Sequence, residues 1–198
     1  MLHDIVKPSL TLFIICVVVS FSLAFTHGIT KDRIEQREAE DALNARRAVL
    51  SQAEEFVKID DINEFIAEDK SLEAVKEAYI GLKDGSFAGY TVKVKGKGYG
   101  GDIVITVGIG ENGEVTGVNI GSHSETPGLG AKASGKPFLS QFEGLKSDKP
   151  LKVVKGEKKA TEEIEAITGA TITSKAVTSA IQTAIDMANA ISVREAMK

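Results

Sequence analysis

The N-terminal end of the chain is one long apolar run. Residues 8–30 contain no Asp, Glu, Lys or Arg, and residues 10–19 are densely apolar. A helix of about 20 residues is long enough to cross the hydrocarbon core of a bilayer. The pattern therefore predicts a transmembrane helix within residues 1–30, which anchors the chain in the lipid bilayer.

Two other kinds of N-terminal segment share this composition. A cleaved signal peptide begins with a positive region and ends at a small-residue cleavage site. Here only Lys7 precedes the apolar run, and no clear cleavage motif precedes His27. A lipoprotein anchor needs a small residue before its cysteine, whereas bulky Ile15 precedes Cys16. These features favour an uncleaved single-pass anchor.

A charged segment with helical spacing follows the anchor. Asp60 and Asp61 end this spacing, and residues 64–79 are rich in acidic side chains, which indicates short helices or loop. We therefore predict that residues 31–85 form a helical stalk or linker, with its long helix running to about residue 58. The apolar positions near one face of that helix are Ile34, Ala42, Ala45, Val49, Ala53 and Phe56.

The pattern changes to strand-like alternation in the second half of the chain. Residues 89–96, 103–109 and 115–120 are predicted strands, and Asn112-Gly113 is a hairpin turn, because this pair tolerates the positive φ angles that such turns need. From Ser174 onward, apolar residues recur every three or four positions, which predicts a C-terminal helix. The expected fold class is α+β, with an antiparallel sheet and packed helices over residues 86–198.

Composition limits the possible partners. The chain has 198 residues, of which 42% are hydrophobic and 26% charged, enough for one ordinary globular core. Its formal net charge of −4 argues against nucleic acid as a partner, because nucleic-acid-binding domains usually present a basic face. The lysines between residues 146 and 159 are predicted to be solvated surface, with an acidic partner surface as the alternative.

Several cofactor classes lack their ligands in this sequence. Cys16, the single cysteine, lies in the apolar run, which excludes an intrachain disulfide and a cysteine-ligated iron–sulfur cluster. His3 and His27, two of the three histidines, flank the membrane segment, so we expect no metal site. Residues 96–101 are rich in glycine, but neither a Lys-Ser/Thr pair nor a following helix accompanies them, so no nucleotide-binding fingerprint is present.

The turn before the C-terminal helix is the strongest candidate for chemistry. Thr171 lies at or just before the helix start, where unpaired backbone N–H groups and the helix dipole favour a phosphate. The alternative is an ordinary capped N-terminus, for which Ser and Thr are well suited. The turn has the sequence Glu165-Ala166-Ile167-Thr168-Gly169-Ala170-Thr171.

This turn resembles the flavinylation motif of the FMN-binding domains in the Rnf and sodium-translocating NADH:quinone reductase complexes. In that family the last threonine of the motif carries FMN through a phosphoester bond, and the acidic position, here Glu165, is more often Asp. The resemblance therefore implies covalent FMN on Thr171. It also implies that the phosphate turn is lined by Thr168, Gly169, Ala170 and Thr173.

A second block carries the same resemblance. The sequence His123-Ser124-Glu125-Thr126-Pro127-Gly128-Leu129-Gly130 is similar to the other signature of this family. Pro127 and the two glycines predict a tight loop with few side chains, whose backbone can approach a flat ligand. An ordinary surface turn is the alternative. The resemblance implies contacts to the flavin ring or ribityl chain from His123, Glu125, Thr126, Leu129 and Gly130.

Both motifs, in this order and behind an anchor, resemble the G subunits of Rnf-type ferredoxin:NAD oxidoreductases, complexes that couple redox chemistry to ion transport. The resemblance implies an electron-transfer subunit with no soluble substrate and no catalytic residue of its own. Its implied partners are the other subunits of the complex and a flavin transferase. The alternatives are the C subunit of a sodium-translocating NADH:quinone reductase, or a non-catalytic FMN-binding sensor or assembly module.

The sequence gives two conflicting indications of which side of the membrane the domain occupies. Lys7 lies before the apolar run, whereas Lys31, Arg33 and Arg37 follow it, so the positive charges favour a cytoplasmic C-terminal domain. The family resemblance implies the opposite, a cell-membrane protein whose flavin domain lies on the extracytoplasmic side together with the transferase. We follow the resemblance as the expectation.

Overall fold

The computed structural model describes residues 2–146 and 149–196. Its first element is the long helix α1 (Leu2–Val49), and the chain divides into two compact units after Leu43. From Ser9 onward, α1 is long and apolar enough to cross a membrane, with a mean hydropathy of 2.3 in its most apolar window, none of which is buried. This finding agrees with the predicted membrane anchor.

The second unit contains a five-stranded sheet, β1-β2-β3-β4-β5, in which every neighbouring pair is antiparallel. A smaller parallel pair, β6 and β7, precedes the last helix. The elements in chain order are β1 (Glu55–Lys58), α2 (Ile62–Glu68), β2 (Val75–Lys83), β3 (Ser86–Lys97), β4 (Asp102–Gly110), β5 (Val115–Ile120), α3 (Lys136–Leu139), β6 (Lys152–Val154), β7 (Glu163–Glu165) and α4 (Thr171–Ala196). The predicted α+β class is confirmed.

Helix α4 covers one face of the sheet and makes the main core with it. Strand alternation turns Ile105 and Val107 of β4 toward this core, where they pack with Ile181 and Ile185 of α4, and all four are essentially fully buried. Burial of such side chains is worth about 1.5–3 kcal/mol each. The core therefore fixes α4, and with it Thr171, against the sheet.

The opposite face of β4 and β5 receives the end of α1. A Cβ atom added at Gly108 would collide with the Val49 carbonyl oxygen, and the Thr116 hydroxyl donates a hydrogen bond to the same oxygen. Leu50, the next residue, is fully buried in a small second cluster. Because these contacts hold the chain where it leaves the helix, α1 ends at Val49 and not near residue 58 as the helical spacing predicted.

Two strands lie in the segment that we expected to be helical stalk or loop. Strand β1 pairs with the second half of β2, from Tyr79 to Leu82, and the Glu54 N–H just before β1 donates to the Leu82 carbonyl at 2.8 Å. Register shifts interrupt β2 between Val75 and Glu77 and again near Gly81. As a result its buried residues, Val75, Ala78 and Gly81, follow buried Leu72 at three-residue intervals. This spacing mimics a helix, which is why alternation did not reveal the strand.

Candidate functional site

Helix α4 begins at Thr171 without a side-chain cap. The preceding residue is Ala170, whose methyl group cannot accept a hydrogen bond. The Ser174 hydroxyl is engaged elsewhere, since it accepts from the Ile167 N–H and donates to the Ala170 carbonyl, both at 3.0 Å. Within residues 2–146 and 149–196, no hydrogen bond is formed by the backbone N–H groups of residues 171–173. The structure thus differs from the capped-helix alternative and leaves donors for an anion.

These donors lie beside a cavity of about 550 Å³. The volume falls within the range typical of sites for small molecules and cofactors. Eight of the predicted residues line the cavity together and come from both motif loops. The lining residues are Tyr99, Glu125, Thr126, Leu129, Gly130, Gly169, Ala170, Thr171, Ile172 and Thr173.

Glu125 connects three segments of the cavity wall. Its side chain is only 7% exposed. One carboxylate oxygen, Oε1, accepts from the Gly100 N–H at 2.9 Å, and the other, Oε2, accepts from the Thr173 hydroxyl at 2.6 Å. The carboxylate thereby joins its own loop to the β3–β4 turn and to the first turn of α4. The contact between Glu125 and the flavin that the resemblance implies stays a prediction, and in the structure each of the two oxygens already accepts a hydrogen bond from the protein.

Two opposing effects act on the pKa of Glu125. Burial raises it, because the charged form loses solvation. Hydrogen bonds from Thr173, Gly100 and the Tyr99 backbone lower it, with a further electrostatic contribution from His123. The hydrogen bonds prevail, so the pKa lies below its ordinary value and the carboxylate is charged at neutral pH.

Glycines make room for this carboxylate. A Cβ atom at Gly98 would collide with Glu125 Oε1, and one at Gly130 would collide with Oε2 and approach the Thr173 hydroxyl to 2.8 Å. Gly128 serves a different purpose: its φ is +78°, and a Cβ atom there would meet nothing within 4 Å. The space that we assigned to close approach by a ligand is, at Gly130, occupied by the Glu125 side chain.

Two predicted residues do not line the cavity. Thr168 is exposed on the turn before α4. His123 holds the loop instead, because its Nδ1 accepts from the Glu125 N–H at 3.3 Å while its Nε2 lies 3.2 Å from the Ser134 hydroxyl. Sequence analysis missed two lining residues, Tyr99 and Ile172. Tyr99 is the only side chain in an otherwise all-glycine turn, a signal that could have identified it.

The site fits a cofactor that combines a phosphate with a flat, partly apolar ring. The free N–H groups at the start of α4 suit the phosphate, and Thr171 lines the cavity next to them. The cavity itself is lined by a mixture of apolar and hydroxyl-bearing side chains, as ligand sites usually are.

Comparison with known proteins identifies the family. Residues 98–186 match the FMN-binding domain family, and residues 1–49 match the RnfG N-terminal region. The G subunit of the Na⁺-translocating ferredoxin:NAD⁺ oxidoreductase complex of Acetobacterium woodii is 41% identical over 187 residues, which cover 91% of this chain and 90% of that protein. The chain belongs to the RnfG family of ion-translocating oxidoreductase complexes. The predicted family is confirmed.

Other RnfG proteins give the same result. The G subunit of the proton-translocating ferredoxin:NAD⁺ oxidoreductase complex of Clostridium ljungdahlii is 35% identical over 175 residues, which cover 88% of this chain and 86% of that protein. The G subunit of the ion-translocating oxidoreductase complex of Methanosarcina acetivorans is 31% identical, with coverages of 94% and 96%.

A solved structure shares the fold. The crystal structure of the C subunit of the Na⁺-translocating NADH-quinone reductase of Parabacteroides distasonis aligns with a TM-score of 0.54 at 23% identity, covering 76% of this chain and 80% of that one. At this identity the likeness concerns the fold alone. The match to the RnfG N-terminal region favours the RnfG family over our alternative, the C subunit of the quinone reductase.

Proposed function

We propose that this protein is the membrane-anchored electron-transfer subunit of an ion-translocating ferredoxin:NAD⁺ oxidoreductase complex, and that it carries FMN covalently on Thr171. Membership of the RnfG family supports the place in the complex. The observation that supports this attachment site is the uncapped start of α4, where Thr171 lines the cavity beside free backbone donors.

Each part of the site has a defined role in this proposal. The Thr171 hydroxyl would hold FMN through a phosphoester; counted from free FMN and threonine, the hydroxyl proton and one phosphate OH group leave together as water. The N–H groups of the first turn of α4 bind the remaining phosphate oxygens, aided by the helix dipole. Glu125 and His123 hold the loop that forms the facing wall. When bound, FMN supplies the redox chemistry that no side chain provides.

A covalent link suits a subunit with no substrate of its own. It keeps the cofactor in place whatever the concentration of free flavin, so the protein contributes placement. The apolar part of α1 holds the chain at the membrane, next to the other subunits of the complex. We infer that a flavin transferase completes the protein and that it acts on the extracytoplasmic side.

Intact-mass measurement on the full chain, extracted from membranes in detergent, tests the attachment. Protein produced together with a flavin transferase should be heavier by one FMN less one water. Thr171→Ala should lack this increment, and Thr171→Ser should keep it, because a hydroxyl remains. Thr161→Ala is the control, since Thr161 is an exposed threonine outside both motifs and outside the cavity lining.

One outcome contradicts the assignment directly. If Thr171→Ala retained flavin through denaturation while Thr168→Ala lost it, the attachment site would be Thr168. If wild-type protein carried FMN that was released on denaturation, the site would bind FMN without the covalent bond.

A further inference from the structure

Exposed apolar side chains of the sheet-containing unit concentrate at the cavity. Among the described residues from 44 onward, six large hydrophobic side chains are exposed, and three of these line the cavity. They are Tyr99, Leu129 and Ile172, with exposures of 73%, 44% and 56%. Each comes from a different element: the β3–β4 turn, the loop that follows β5 and the first turn of α4. Apolar surface gathered in this way indicates a binding face.

Tyr99 stands on a firmly held turn. The Gly98 N–H donates to the Gly101 carbonyl at 2.8 Å, and the Gly100 N–H donates to the buried Glu125 carboxylate at 2.9 Å. A Cβ atom at Gly100 would collide with the Ser124 carbonyl oxygen. The backbone on either side of Tyr99 is therefore fixed against the motif loop, and its ring is presented from a rigid base.

We propose that Tyr99, Leu129 and Ile172 form a seat for the isoalloxazine ring of the flavin carried by Thr171. The flavin ring is flat and has an apolar dimethylbenzene edge, so aromatic and aliphatic side chains are the surfaces that match it. Ile172 follows the attachment residue directly in α4, and the other two residues line the same cavity. This inference rests on the proposed function, because the seat is defined relative to FMN on Thr171.

The polar groups around the cavity support this occupant. Each oxygen of the Glu125 carboxylate already accepts a hydrogen bond, from Gly100 or Thr173, so its charge is partly compensated within the protein. The free donors lie at the start of α4, beside Thr171, the proposed attachment residue. Phosphate and ring thus find matched surfaces at different parts of one cavity.

Fluorescence of the covalently bound flavin tests the seat in the full chain. An electron-rich phenol or indole in contact with a flavin quenches its emission, whereas a phenyl ring covers the flavin without quenching it. Three substitutions separate covering of the flavin from quenching of its emission. Tyr99→Ala removes both, Tyr99→Phe keeps only the covering, and Tyr99→Trp keeps both. Val193→Ala is the control, because Val193 is 54% exposed on α4 and does not line the cavity.

The expected results differ among the variants. Loss of one stacking contact should lower the ratio of seated to free flavin about tenfold in Tyr99→Ala. The larger share of free flavin should give a larger fraction of long fluorescence lifetimes. It should also give stronger quenching by iodide, which reaches only exposed flavin. Tyr99→Phe should lengthen the lifetime but leave iodide access at the wild-type level. Tyr99→Trp and Val193→Ala should resemble wild type in both measurements.

Intact mass, recorded on the same samples, separates failure of the seat from failure of the proposed function. If the samples carry the FMN increment and Tyr99→Phe and Tyr99→Ala show wild-type lifetimes and iodide access, the seat is overturned. It is also overturned if these variants keep wild-type fluorescence but no longer assemble with the complex, since the face would then contact another subunit.

If Tyr99→Ala accepts no FMN, Tyr99→Phe alone decides, because a wild-type lifetime there excludes contact with Tyr99. If wild type lacks the increment, the proposed function fails.

Discussion

The Glu125 carboxylate accepts a hydrogen bond from the Thr173 hydroxyl at 2.6 Å, although 48 residues separate the two in the chain. Both side chains are buried, with exposures of 7% and 1%. Thr173 lies two residues after the proposed attachment residue, so this bond ties the first turn of α4 to the loop on the facing side of the cavity. Charged hydrogen bonds of this kind are shorter and stronger than neutral ones.

We predict that Thr173→Val destabilises the protein by about 1–3 kcal/mol, because the nearly isosteric valine leaves a buried carboxylate oxygen without its donor. Thr173→Ser keeps the hydroxyl and should lose less. Urea unfolding followed by circular dichroism measures both. Thr168→Val, at an exposed position, is the control. Equal stability of Thr173→Val and wild type would show that this bond contributes nothing to holding the cavity wall.

The lowered pKa of Glu125 predicts a specific dependence of stability on pH. A carboxyl group whose pKa is lower in the folded state stabilises the fold above its unfolded pKa, near the ordinary value of 4.5. That contribution is lost as the pH falls from there through the lower folded pKa. Glu125→Gln should therefore be less stable than wild type at neutral pH, and its free energy of unfolding should fall less steeply in this acidic window.

Urea unfolding at a series of pH values measures this difference in slope. Glu111→Gln serves as the control for loss of one negative charge, because Glu111 is exposed in the β4–β5 hairpin turn. Identical slopes for Glu125→Gln and Glu111→Gln below the ordinary pKa would contradict a lowered pKa at Glu125.

The sequence predicted those parts of the fold that depend on local patterns. Alternation identified β3, β4 and β5, and the Asn112-Gly113 pair placed the hairpin between the last two, where Gly113 has a φ of +78°. Three- and four-residue spacing identified α4. Local pattern did not predict β2, because bulges give its buried residues a helical spacing. It also did not predict where α1 ends, because contact with the sheet decides that position.

The candidate site could also be predicted from the sequence only in part. Thr171 and Leu129, one from each motif, line one cavity, and this proximity was expected only from the family resemblance. The engagement of Glu125 was not predictable, since its partners Gly100 and Thr173 lie 25 and 48 residues away. Tyr99 was missed because the glycines beside it, which make room for Glu125, suggested only a turn.

Two glycines of the motif loop should respond differently to substitution. Gly130→Ala places a methyl group against the Glu125 carboxylate and the Thr173 hydroxyl, and such overpacking costs about 1–3 kcal/mol. Gly128→Asn introduces a side chain into open space at a positive φ that asparagine tolerates, so its cost should be small. Thermal melting compares the two variants. A loss at Gly128 as large as that at Gly130 would mean that backbone conformation, and not the space for Glu125, makes this loop glycine-rich.

We predict that the flavin domain lies on the extracytoplasmic side of the membrane. A reporter that is active only outside the cytoplasm, fused after residue 198, should be active, and a cytoplasmic reporter at the same position should not. The positive charges that follow the apolar run favour the opposite orientation, but they are interleaved with acidic residues and their excess over Lys7 is small. A flavin transferase acting outside the cytoplasm requires the domain there.

Thiol labelling provides an independent measurement, since Cys16 is the single cysteine. In a Cys16→Ala background, Glu111→Cys places one thiol on the exposed β4–β5 turn of the domain. A membrane-impermeant thiol reagent should label this variant in intact spheroplasts to the same extent as in lysed ones. Labelling only after lysis, together with an active cytoplasmic reporter, would place the domain in the cytoplasm, and the transferase that modifies Thr171 would then have to act there as well.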